Sequence, residues 1–161
     1  MATRLRLRLI ALLLVGVLLI LRWWQPRTPS PPVVVNGTAV PPVPTLEAAR
    51  VQQGSALYAQ HCAACHGATL EGAPNWKQPD ADGAYPPPPH DSTGHTWHHS
   101  DDLLVSIVQN GGDLSYNSKM PAFKDKLSPE EIRAIIEFLK SHWGPEEREF
   151  QWWVTATNDT G

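Results

Sequence analysis

Cysteine is scarce in this chain: of 161 residues, only Cys62 and Cys65 are cysteines. Two thiols cannot build a disulfide framework, and they cannot complete a four-ligand structural zinc site without a second Cys or His pair at similar spacing. Methionine is equally rare, present only as Met1 and Met120. Positive charge is sparse beyond the N-terminus, since residues 23–161 carry nine Lys and Arg against sixteen Asp and Glu, a formal balance of −7. That excess argues against nucleic acid as a partner and against an electrostatic contact with a membrane surface. No internal repeat is evident, and the long loop before residue 100 offers no convincing strand.

The two cysteines stand together as Cys62-Ala63-Ala64-Cys65-His66. A thioredoxin-like redox pair needs a βαβ context, whereas the flanks here offer Pro-rich loops and helical patterns. A plain disulfide leaves His66 unexplained. Two thiols three positions apart can add to the two vinyl groups of one haem, while the adjacent imidazole reaches the iron from the same side of the ring. The run therefore predicts one covalent haem c, attached through Cys62 and Cys65 and ligated by His66.

Residues 1–24 have a different character. Arg4, Arg6 and Arg8 alternate with leucines before an unbroken apolar run over residues 9–21. Counted from Leu5, the stretch is near the short end of what spans a bilayer and could equally be a signal-peptide core. Arg22-Trp23-Trp24-Gln25-Pro26 lacks the small residues a cleavage site needs, which favours an uncleaved transmembrane anchor with its N-terminus in the cytoplasm. The rest of the chain would then lie on the periplasmic or outer side of a bacterial cytoplasmic membrane, where haem attachment takes place. Residues 25–44 hold seven prolines and read as a semi-rigid linker without helix or ladder hydrogen bonds.

A folded domain is expected over residues 45–143. Thr45 can cap a helix running from Leu46 towards His61. A second helix starts after Ser100, with Asp101 and Asp102 in its first turn, and ends near Gly111-Gly112. A third starts after Ser128, with Pro129 at the first helical position and Glu130 and Glu131 behind it, and runs to about Trp143. Residues 144–161 form a tail whose aromatics, Phe150, Trp152 and Trp153, either fold back or meet a partner. The fold class is all-α, helices around a covalent haem, preceded by one transmembrane helix.

With Cys62-Ala63-Ala64-Cys65-His66-Gly67, the later Lys119-Met120-Pro121-Ala122-Phe123 and the amphipathic final helix over residues 130–143, the domain resembles the class I c-type cytochromes. The resemblance covers about three-fifths of the chain. It implies that the first and last helices cross, with Gly54 meeting Phe138 and with Tyr58 and Ile135 beside them. It implies that Met120 is the second axial iron ligand, and that a carbonyl from Pro74 or Pro79 orients His66. A soft thioether favours ferrous iron, so His/Met ligation raises the reduction potential.

His90, His95, His98 and His99 crowd the loop before the second helix, and one of them could displace Met120 or bind a second metal such as copper. Trp97 among them suits a place against the haem, its indole donor towards a propionate. Lys119, Lys124 and Lys126 could form a basic rim that steers redox protein partners. The expected function is electron transfer by a membrane-tethered, single-haem carrier without catalysis of its own. Two alternatives stay open: the cytochrome subunit of a larger oxidase or dehydrogenase complex, and a haem or copper sensor built on the histidine loop.

Overall fold

The structure, a computed structural model, describes residues 15–16, 32–35, 37–113 and 117–158. The expected transmembrane segment therefore lies outside the described residues, apart from Val15 and Gly16, which are helical. Among the described residues no helix is long and apolar enough to cross a membrane.

In chain order the elements are β1 (Val33–Val35), β2 (Thr38–Val40), α1 (Ala48–His61), α2 (Ala63–His66), a 3-10 turn (Thr96–His98), α3 (Asp101–Asn110), α4 (Pro129–Lys140) and α5 (Pro145–Asn158). The domain is mostly helical, as expected. Ser100 caps α3 by accepting from the Leu103 N–H, and Ser128 caps α4 in a full capping box: its Oγ accepts from the Glu131 N–H, and Glu131 Oε2 accepts from the Ser128 N–H. These contacts satisfy backbone donors that the first helical turn cannot pair internally.

The first helix departs from expectation. It begins at Ala48 rather than Leu46, and Glu47, not Thr45, occupies the cap without a side-chain cap bond. Its free donor finds a tertiary partner instead, the Glu47 N–H donating to Glu137 Oε1 of α4 (2.8 Å), while Arg50 pairs with the same carboxylate (2.9 Å).

Helices α1 and α4 cross at Gly54. A Cβ there would overlap the Ala134 carbonyl and lie 2.9 Å from Phe138 Cβ, so the two backbones are closer than any side chain permits. Tyr58, one turn on, packs against the Phe138 ring (5.4 Å between centroids). The core spreads from this crossing through Leu104, Val105, Phe123, Leu127, Ile132, Ile135, Ile136, Leu139 and Trp143.

Two segments outside the expected domain join it. The linker holds a hairpin, with Val33 opposite Val40, Val34 opposite Ala39 and Val35 opposite Thr38. The prolines flank this segment rather than interrupt it, and Val-Val-Val-Asn-Gly-Thr-Ala-Val is a hairpin pattern as a sequence, with Asn-Gly between its two β-forming runs. The tail is also structured: α4 stops at Lys140, Gly144 follows a short turn, and Pro145 starts α5 with Glu146 and Glu147 in its first turn. Helix α5 folds back onto the domain. Trp152 Nε1 donates to the Pro41 carbonyl (2.7 Å), Arg148 to the Pro44 carbonyl (2.9 Å), and Trp97 meets Phe150 edge-on.

Gln151 is the polar centre of that contact. Only 1 % exposed, it donates to the His99 carbonyl, Asp101 Oδ1 and Thr155 Oγ1. Gln151→Ala leaves these buried acceptors short of a donor and is expected to cost about 1–3 kcal/mol, measured by urea denaturation; a variant as stable as the parent would show that α5 is only loosely docked.

Candidate haem site

The end of α1 delivers the attachment run. Cys62 closes α1 and opens α2, so one break in helix direction places Cys62 and Cys65 within a single turn, the Cys65 N–H donating to the Cys62 carbonyl (3.1 Å). Both are free thiols; Cys65 is exposed and Cys62 half-buried. Burial, with Cys65 adding to it, pushes the Cys62 thiol up to about 11.

His66 is buried, and burial lowers its pKa, opposed by a hydrogen bond to Pro88. Its Nδ1 lies 3.0 Å from the Pro88 carbonyl oxygen. A carbonyl can only accept, so Nδ1 carries the proton and Nε2 is left with the lone pair a metal needs. The acceptor is thus Pro88, neither Pro74 nor Pro79. Loop closure decides this: the Ala73 N–H donates to the Pro87 carbonyl and the His90 N–H to the Leu70 carbonyl, both at 2.8 Å, folding residues 67–90 back under the imidazole. Tyr58 Oη donates to the Gly67 carbonyl (2.8 Å) and Trp143 Nε1 to the His90 carbonyl (2.8 Å), tying that loop to α1 and to the end of α4.

Met120 is partly buried against the core, as are Cys62, Ala63 and Trp97. Its segment lies along the end of α3: the Gly112 N–H donates to the Met120 carbonyl (3.1 Å) and the Phe123 N–H to the Val108 carbonyl (3.0 Å). Gly111, at φ +89°, permits that approach, since a Cβ there would press on the Met120 carbonyl oxygen at 2.9 Å. The fold thus brings Cys62 and Met120, far apart along the chain, to one core.

The donor set fits a covalent haem. Trp97 Nε1 and His95 Nδ1 are buried without a hydrogen-bond partner among the described residues. Buried donors are seldom left so, and a haem propionate would satisfy the indole N–H. Cys62 and Cys65 would hold the group, His66 Nε2 would ligate its iron, and Trp97 would meet its carboxylates.

The remaining histidines make contacts of their own. His90 stacks on His66 (4.1 Å between ring centroids) and its Nδ1 meets Thr96 Oγ1 at 2.8 Å; burial holds it neutral, down to about 3. His95 stacks on Trp76 and meets His99 edge-on, while His98 is exposed. Among the described residues no three His, Cys, Asp or Glu side chains stand together as a metal site. The basic rim is also weaker than its sequence suggested, because Lys119 pairs with Asp80 and Asp82. A cavity of about 250 Å³ lies elsewhere, beneath residues 43–46, and its cations are engaged: Arg50 with Glu137 and Lys140 with Asp101.

The family model described as cytochrome c oxidase, cbb3-type, subunit III matches residues 49–139, more than half of the chain. The chain belongs to this family of c-type cytochromes. No curated protein matches it. The match begins in the first turn of α1 and ends within α4, so it spans the attachment run, the Pro88 loop, the Met120 segment and the helix crossing. The cytochrome's hairpin and α5 lie outside it. Haem c is therefore this cytochrome's cofactor and haem-based electron transfer its function, in keeping with a carrier rather than an enzyme.

Proposed function

We propose that this cytochrome transfers electrons through a single haem c, bound covalently by Cys62 and Cys65 and ligated by His66 and Met120. The observation that carries the reading is the Nδ1 to Pro88 hydrogen bond, which leaves Nε2 of a buried imidazole ready to ligate beside the two thiols. When bound, a haem with both axial positions filled by protein cycles between Fe(II) and Fe(III) without a vacant site for substrate. The chain's residues do the rest: the Pro88 carbonyl orients His66, the α3 end presents Met120, and Tyr58 and Trp143 hold the loop between them. Residues 1–24 would anchor the protein in the bacterial cytoplasmic membrane, with the haem domain on the periplasmic or outer face.

The family description favours a second, compatible reading, in which the chain is the cytochrome subunit of an oxidase complex and passes electrons to a redox partner within it. The histidine-loop sensor gains no such support.

The pyridine haemochrome of the purified holoprotein is expected to give one haem c per chain. Haem staining on a denaturing gel should disappear in the Cys62→Ser/Cys65→Ser variant, and staining that survives would place the attachment elsewhere. A stable second subunit after mild detergent extraction would support the oxidase reading, and a chain that purifies alone would support the free carrier.

A further inference from the structure

The segment carrying Met120 is tied by charge to the loop beneath His66. Lys119 Nζ lies 2.7 Å from Asp80 Oδ2 and 3.2 Å from Asp82 Oδ2, and Asn117 Nδ2 donates to the Asp82 carbonyl (3.0 Å). The acidic side of this bridge is rigid. Asp80 Oδ1 accepts from the backbone N–H groups of Asp82 (2.9 Å) and Ala84 (3.0 Å), the Asp80 N–H reaches the Ala84 carbonyl (2.8 Å), and Ala84 is buried. One oxygen of Asp80 thus builds the turn and the other receives the lysine.

On the basic side, the Met120 N–H donates to Ser118 Oγ (3.3 Å) and the Met120 carbonyl accepts from the Gly112 N–H (3.1 Å). Residues 80–82 belong to the same loop that supplies the Pro88 carbonyl to His66. The bridge therefore joins, across 39 and 37 positions of sequence, the backing of one axial ligand to the immediate neighbour of the other.

We propose that Asp80, Asp82 and Lys119 are positioning residues, forming a strap that keeps Met120 on the iron and so excludes small exogenous ligands from the sixth position. The inference rests on Met120 being that ligand. A methionine on a loop leaves the metal whenever its segment swings out, and a cross-link to the opposite loop lowers the frequency of that opening. An exposed bridge has a modest effect, a few-fold rather than orders of magnitude, and salt weakens it.

Asp80→Asn/Asp82→Asn is the informative variant, because at position 80 the amide oxygen can keep the turn bonds while the amide nitrogen cannot accept from Lys119, and at position 82 the change removes the second negative charge. The probe is imidazole, mixed rapidly with the ferric holoprotein. At low salt the variant should bind imidazole about fivefold faster than the parent, and the difference should shrink at high salt. Lys119→Arg should behave as the parent, and all three proteins should keep the near-infrared sulfur-to-iron band at rest.

Equal imidazole rates in parent and double variant, with that band intact, would overturn the strap and leave Met120 ligation standing. If Met120→Ala changes neither the band nor the imidazole rate, the ligation reading fails and the strap falls with it.

Discussion

Met120→Ala holoprotein is expected to lose the weak near-infrared sulfur-to-iron band and to show a reduction potential lower by on the order of 0.1 V or more, within the ~0.8 V over which axial ligands set haem potentials. A soft thioether stabilises Fe(II), whereas the water or hydroxide that enters in its place stabilises Fe(III). Met1 belongs to the opposite end of the chain, so Met120 is the only thioether within the matched domain. It packs on the same core as Cys62, and the paired glycines 111 and 112 let its backbone settle against α3. Far-ultraviolet circular dichroism should be unchanged, since the side chain is only partly buried. A variant with the parent's spectrum and potential would move the assignment to another residue, with the histidines before α3 as the first to test.

Gly54→Val should be the most damaging single change to the fold, costing about 3 kcal/mol or more. Ordinarily a side chain in mid-helix gains helix propensity over glycine by up to about 1 kcal/mol. Here that gain is outweighed, because the atoms a Cβ would strike are the Ala134 carbonyl group and Phe138 Cβ. A flexible side chain could turn aside, but a backbone carbonyl cannot, so α1 and α4 must separate and loosen Tyr58 from Phe138. Urea denaturation of the holoprotein, followed by circular dichroism, measures the loss. A Gly54→Val protein as stable as the parent would show that the helices do not meet there.

The readings that succeeded from sequence were those whose physics is local. Ser100 and Ser128 cap α3 and α4 as expected, because a cap needs only its own hydroxyl and the three residues after it. The Gly54 to Phe138 crossing was also foreseen, through resemblance rather than periodicity. Helix α5 has a start that local sequence leaves ambiguous: Gly144-Pro145 reads as a stop for α4, yet the same proline followed by two glutamates is also a helix start. The hairpin likewise had its Asn-Gly signal, masked by the prolines on either side.

What lay beyond sequence was set by distant backbone. No side-chain chemistry distinguishes Pro88 from Pro74 or Pro79 as the partner of His66; only the path of residues 67–90, closed by hydrogen bonds at residues 70 and 90 and at 73 and 87, brings that carbonyl under the ring. The same holds for Lys119, which looked like part of a basic rim until the fold placed Asp80 and Asp82 beside it.

The sequence by itself pointed to the cofactor of this cytochrome, because the thioether attachment and imidazole ligation proposed for Cys62, Cys65 and His66 depend on residue types at fixed short spacing. The tertiary structure decided which nitrogen of His66 carries the proton, what packs beside Met120 and which charges join the loop under His66 to the Met120 segment. Those depend on separations of tens of residues, closed by backbone hydrogen bonds and by the contact of α1 with α4, to which short-range sequence patterns are blind.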